Sequence, residues 1–124
     1  MNRPISILLV DDDQLVNTCL STWLEDEGFT VHCVSGGQEA LLVLASTHID
    51  VALVDLHMRD MNGEELITNG SAFHPATRFM IHTGKNSYKL PERLRKLGHG
   101  VVYKPIVELK SFSLTIRQLV KVGQ

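Results

Sequence analysis

Four places in this 124-residue chain put charged or hydroxyl side chains where chemistry can be done: the run Asp11-Asp12-Asp13, then Asp55, Thr83 and Lys104. Crowded carboxylates repel, and at least one keeps its proton unless a cation neutralises the group. A hard divalent ion does so, and Mg2+ takes only one or two carboxylates, keeping its other positions for water and phosphate oxygens. A carboxylate left ionised beside such an ion can attack phosphorus and form an aspartyl phosphate. A phosphoryl group in transfer spreads charge over its equatorial oxygens and needs positive or donor groups around it. Lys104 offers a point charge and Thr83 a hydroxyl donor, with Asp55 at the centre.

These positions work together only if the fold gathers them. Val51 to Val54 is an uninterrupted apolar run into Asp55, the pattern of a strand buried on both faces that ends at a polar site. Ile5 to Val10, broken only by Ser6, runs likewise into the three acids. Arg78 to Thr83 and Gly100 to Tyr103 are further strands, the last leading into Lys104-Pro105. Phe29 to Val34 alternates as an outer strand, with Phe29, Val31 and Cys33 on one face.

Between them the period lengthens. Leu15, Val16, Cys19, Leu20, Trp23 and Leu24 recur at helical spacing up to Gly28, with Asp13 placed to cap the start. A short helix covers Gln38 to Ala45, with Ala40, Leu41, Leu44 and Ala45 on one side. Another runs from Glu64 to about Ser71, weakened by Asn69-Gly70 and broken at His74-Pro75. Pro91 suits the first turn of a short helix to Leu97. Leu109, Phe112, Ile116, Leu119 and Val120 mark the last. Strands alternating with helices imply an α/β fold, with a parallel sheet covered on both faces and residues 1–124 forming one domain. The carboxyl ends of parallel strands share one edge, where open α/β sheets bind their ligands.

Composition narrows the function classes. A hydrophobic content of 44% supports a real core, and a net charge of −2 with scattered basic residues argues against a nucleic-acid-binding face. No apolar run approaches the roughly 20 residues of a membrane span and no signal peptide pattern opens the chain, so a soluble cytoplasmic protein is expected. Cys19 and Cys33 lie in apolar patterns and are expected to be buried, reduced thiols. The six histidines lack ligand-like spacing, so a histidine metal site is not expected.

In type and spacing these residues resemble the receiver domains of two-component response regulators. The likeness runs from Ile-Leu-Leu-Val-Asp-Asp-Asp to Lys104-Pro105 and the last helix, with Asp12 43 residues before Asp55, Gly63 eight after it and Lys104 21 after Thr83. The resemblance implies a (βα)5 doubly wound sandwich with strand order 2-1-3-4-5. It implies that Asp55 is the phosphoacceptor, with Thr83 bonding the phosphoryl group and Lys104 pairing with it. Mg2+ would be held by Asp11, Asp12, Asp55 and the backbone carbonyl of His57. The donor would be a sensor histidine kinase or phosphotransfer protein, and the output an effector domain or homodimer.

The chain departs from the family pattern in four places. Met-Pro after the phosphoacceptor is Met58-Arg59, Gly84 stands where a small Ala is common, and the aromatic switch position is Val101, with Tyr103 just before the lysine. The helix after Pro91 is short.

Plainer interpretations stand beside these. The three acids could be a capping turn, Lys104-Pro105 a loop and Thr83 a strand end. His57 and Lys85, two beyond Asp55 and Thr83, could tune phosphoryl lifetime or be solvated side chains. His82 fits a packed core histidine better than a catalyst, and Arg93, Arg95 and Lys96 a solvated helix face. A second function class is a receiver-like interaction module that signals by binding without phosphorylation. A haloacid-dehalogenase-type phosphatase is disfavoured because His57 occupies the place of its second Asp and 124 residues leave no cap. A flavodoxin lacks its Ser/Thr/Gly-rich phosphate cradle here.

Overall fold

The computed structural model describes residues 3–122. Five strands, β1 (Ser6–Val10), β2 (Thr30–Val34), β3 (Val51–Asp55), β4 (Arg78–Thr83) and β5 (Gly100–Tyr103), alternate with helices α1 (Gln14–Asp26), α2 (Gly37–Ser46), α3 (Gly63–Phe73), α4 (Glu92–Arg95) and α5 (Leu109–Val122). All strand pairs are parallel, in the order β2-β1-β3-β4-β5, so the expected doubly wound (βα)5 architecture is present.

Successive strand residues face opposite sides of the sheet, which explains why the central strands are continuously apolar. Leu8, Val10, Ala52, Val54, Phe79 and Ile81 face one layer, built from Ala40 and Leu44 of α2, Leu66 and Ile67 of α3 and Leu94 of α4. Ile7, Leu9, Val51, Leu53 and Met80 face the other, built from Leu24 of α1 and Phe112 and Ile116 of α5. Each fully buried aliphatic side chain contributes about 1.5–3 kcal/mol, so the three central strands anchor the fold.

Several boundaries differ from expectation. α3 continues through Asn69-Gly70 to Phe73, because Gly70 is where the helix presses onto β4: a Cβ there would lie 2.8 Å from Phe79 Cζ. Its start is fixed by a capping box, with Asn62 accepting from Glu65 N at 2.8 Å. α4 has only four residues, and Pro91 stands at its cap instead of inside its first turn. Gly28 ends α1 with φ of 95°, a conformation other residues adopt only with strain. Both cysteines are free, but they are exposed and not buried as expected. β2 is an edge strand and α1 a surface helix, so each thiol can sit in an apolar pattern and still reach solvent. No helix among the described residues is long and apolar enough to cross a membrane.

Candidate functional site

The register of the sheet decides which side chains meet. Val10 pairs with Val54, so Asp11 and Asp55 follow side by side at the carboxyl edge. Asp11 remains attached to the sheet through its N–H, which donates to Val34 O at 3.2 Å, and its side chain is buried. The three consecutive acids then divide their tasks. Asp13 caps α1, accepting from Leu15 N at 3.0 Å and Val16 N at 3.4 Å, and its own N–H donates to Asp11 Oδ1 at 2.9 Å. Asp12 is left exposed. Carboxylate oxygens of Asp11, Asp12 and Asp55 lie within 4.8 Å of one another.

Lys104 enters this cluster from the β5 side. Its Nζ donates to Asp11 Oδ2 at 3.0 Å and Asp55 Oδ1 at 3.3 Å. The electrostatics are nonetheless incomplete. Burial, then the Asp11 charge, pushes the Asp55 carboxyl above its usual range despite the downward pull of Lys104. Burial works against the Lys104 ammonium, but its bonds to Asp11 and Asp55 outweigh that and raise its pKa. One lysine shared among three carboxylates leaves a surplus of negative charge, facing outward where Asp12 is open. An all-oxygen donor set with uncompensated charge fits a hard divalent cation.

The other expected residues sit around this core. Thr83, buried at the end of β4, stands one residue beyond the pairing of Asp55 with His82. Its carbonyl accepts from Lys104 N at 2.7 Å, joining the two strand ends, while its hydroxyl accepts from Lys85 N at 3.1 Å. His57 is exposed and pairs with Asn62 in an isolated bridge, which folds the loop after Asp55 back on itself. The hydrogen bonds that knit the acidic cluster thus run through Lys104 and the Asp11 turn. Gly63 closes that loop against the site, since a Cβ on it would stand 2.7 Å from the Asp55 carbonyl oxygen. The plainer interpretation holds for His82, which is buried and uncharged: burial first, then Lys104, lowers its pKa to about 4.

Two contributors were not apparent from residue type and spacing. Asn17 is buried on α1, and its amide donates to Asp11 O at 3.0 Å and Val34 O at 3.1 Å, so it clamps the ends of β1 and β2 to the helix. Its one signal is a polar residue flanking the apolar stripe of α1. Asp60 reaches from the β3–α3 loop to cap α2, accepting from Gly37 N at 3.0 Å and Gln38 N at 2.9 Å. Those two bonds lower its pKa. The matching signal is that Gly36 offers α2 no capping side chain. Beside Lys104 an apolar groove of about 400 Å3 opens between α1 and the β5–α5 loop, lined by Leu15, Leu20, Trp23, Ile106 and Leu109.

Residues 7–113 match the family model of the response regulator receiver domain. The chain belongs to this family. The receiver domain is 31% identical over 113 residues to the regulatory protein AtoC of Escherichia coli, an alignment covering 90% of this chain and 24% of that protein. It is 34% identical over 95 residues to protein-glutamate methylesterase/protein-glutamine glutaminase 2 of Caulobacter vibrioides, covering 76% of this chain and 27% of the relative. It therefore spans about a quarter of the length of these curated relatives. Among solved structures it superposes on a CheY-like response regulator receiver domain from Methanospirillum hungatei with a TM-score of 0.81 at 25% identity, covering 98% of this chain and 100% of that one. The cluster of Asp11, Asp12 and Asp55 lies at the carboxyl edge of this receiver's sheet, where doubly wound folds bind ligands.

Proposed function

We propose that residues 1–124 act as one phosphoacceptor receiver, and that Asp55 takes a phosphoryl group from the phosphohistidine of a sensor histidine kinase or phosphotransfer protein. The observation that carries this is the meeting of Asp11, Asp12 and Asp55 within 4.8 Å, with Lys104 bonded to two of them. In the reaction an Asp55 carboxylate oxygen attacks phosphorus, the phosphorus–nitrogen bond breaks, and the electron pair leaves with the donor imidazole. Asp11, Asp12, Asp55 and the His57 carbonyl would hold Mg2+. When bound, the ion neutralises the carboxylates and the phosphoryl oxygens that must approach them.

The remaining work falls to the chain. Lys104 gives up part of its contact with Asp55 and pairs with the incoming oxygens, and the Thr83 hydroxyl turns from accepting Lys85 N–H to donating to the phosphoryl group. Burial disfavours the ionised Asp55 carboxylate and Lys104 favours it; a bound cation would add to the pull of Lys104. The apolar groove lined in part by Lys104, which bonds Asp55, offers the donor protein a surface next to the site. The conformational change that follows would be read by an effector domain or a second copy of the chain.

Incubation with labelled acetyl phosphate and Mg2+ tests this directly. Wild-type protein is expected to take up acid-stable, hydroxylamine-labile label, and Asp55→Asn to take up none. Full labelling of Asp55→Asn sinks the assignment, and an unlabelled wild type that still binds its partner supports instead an interaction module that works without phosphorylation.

A further inference from the structure

The acidic cluster has a buried underside. Behind the acidic cluster, between the sheet and α1, lies a narrow void walled by Leu9, Val16, Leu20 and Leu53 and faced by three polar residues, Asp11, Asn17 and His82. Asn17 is 6% exposed and His82 4%. Each has one buried atom without a hydrogen-bond partner, Asn17 Oδ1 and His82 Nε2. Buried polar atoms in folded proteins are nearly always matched, so two orphans facing one void call for a joint explanation.

Their chemistry is complementary. The Asn17 amide nitrogen is committed to Asp11 O and Val34 O, which fixes the orientation of the side chain and leaves the acceptor oxygen as its unmatched end. A neutral imidazole carries one N–H, and Nε2 can be that donor. Apart from Asn17 itself, His82 is the only residue lining the void with a side-chain donor, and the void is too narrow for a water molecule to mediate. With Asn17 held by its two donated bonds, rotation of the His82 ring is the simplest way to satisfy both atoms.

We propose that His82 Nε2–H donates to Asn17 Oδ1, closing a buried polar tie that holds Asp11 in the acidic cluster. The tie joins β4, at the residue registered against Asp55, to α1, and passes through the Asn17 amide to the Asp11 carbonyl and the end of β2. Carboxylates that repel one another stay close only if their backbone is held, and a site held in advance loses less on cation binding. Asn17 and His82 are positioning residues and touch no reacting atom. The metal half of the inference rests on the phosphoacceptor proposal above; the pairing does not.

Two measurements test it. Imidazole nitrogen NMR of the wild type at neutral pH is expected to show His82 as the Nε2–H tautomer with a slowly exchanging proton. An Nδ1–H tautomer overturns the tie. Titration with Mg2+ alone, followed by amide shifts at the carboxyl edge of the sheet, is expected to give a midpoint about 3- to 10-fold weaker for His82→Leu, the loss of one hydrogen bond's worth of positioning, and weaker still for Asn17→Ala, which also loses the amide bonds to Asp11 O and Val34 O. His82→Gln, which keeps a donor of similar reach, is expected within about 2-fold of wild type. A purely structural role lowers the melting temperature without moving the midpoint of the folded protein, so an unmoved midpoint in Asn17→Ala overturns the positioning role. If the wild type takes up no Mg2+, the phosphoacceptor proposal fails, and the tautomer alone decides the tie.

Discussion

At the scale of single residues, Lys104 is a stabilising partner of Asp11 and Asp55 and, on the function proposed above, would compete with the cation. Its ammonium offsets the repulsion between Asp11 and Asp55, so Lys104→Ala leaves two carboxylates facing each other at a partly buried edge. Because the lysine side chain is 26% exposed, the expected cost in metal-free buffer is about 1–2 kcal/mol, below the loss for breaking a fully buried pair. Millimolar Mg2+ should recover most of it, which parallel urea denaturations with and without the ion would reveal. The buried histidines set a pH dependence. His82 titrates at about 4 in the folded chain, lowered by burial and Lys104, and His99 is also lowered, by burial and Arg78. Both are therefore neutral when folded but protonate near 6.5 when unfolded. The contribution of each is complete above pH 6.5 and declines as pH falls below it, down to about pH 4 for His82, whose full contribution is on the order of 3 kcal/mol. For His99 the geometry agrees, since its Nδ1 accepts from Phe79 N at 3.0 Å and a proton there would meet that N–H. Stability from pH 7 to 4.5 should fall, and His99→Asn should flatten the curve; an unchanged slope would count against the buried neutral ring. Asp55 and Lys104 were legible as residues because they end apolar strands, whereas Asn17 was not, since its role depends on two carbonyls from different strands.

At the scale of elements, the caps show how the loops around the site are tied down. α1 and α3 carry their own caps in Asp13 and Asn62, each adjacent to its helix and so visible in the chain. α2 borrows its cap from Asp60, 23 residues after Gly37. Asp60→Ala should therefore cost about 1 kcal/mol of global stability, as loss of a cap does, and also free the loop that carries His57. Amide exchange for Leu56 to Met61 should quicken in this variant, while Asp13→Ala should leave that loop unchanged. Equal effects from both caps would show that Asp60 does no more than cap. Strand positions were legible because burial on both faces makes them uniformly apolar. Helix ends were less so: Asn69-Gly70 has the composition of a terminus, and only the contact of Gly70 with Phe79 explains why α3 continues through it.

At the scale of the whole molecule, alternating strands and helices fixed the layers, and the resemblance supplied the strand order. The path from the acidic cluster to the α4 side was the least legible part, because Val101 replaces the usual aromatic and α4 is so short. Here two tyrosines span that ground. Tyr88, in the β4–α4 loop, packs on the same core layer as Val101 and donates through its hydroxyl to Glu64 Oε2 at 2.6 Å, at the start of α3. Tyr103, exposed at the end of β5, donates to the Tyr88 carbonyl at 2.7 Å. The segment from Gly84 to Leu90, which begins beside Thr83, is thus strapped to α3 on one side and to β5 on the other. Tyr103→Phe removes the second strap at a cost of about 1 kcal/mol, so local opening of the loop should become roughly 3- to 10-fold more frequent. Hydrogen exchange should detect this at Tyr88, whose N–H bonds to Lys85 O at 3.0 Å, with β1 and β3 unaffected. Labelling from acetyl phosphate should stay within about 2-fold of wild type, since the Tyr103 hydroxyl bonds to Tyr88 and the bonds to Asp11 and Asp55 come from Lys104. Unchanged exchange at Tyr88 would mean the loop is held by Tyr88 and Glu64 alone.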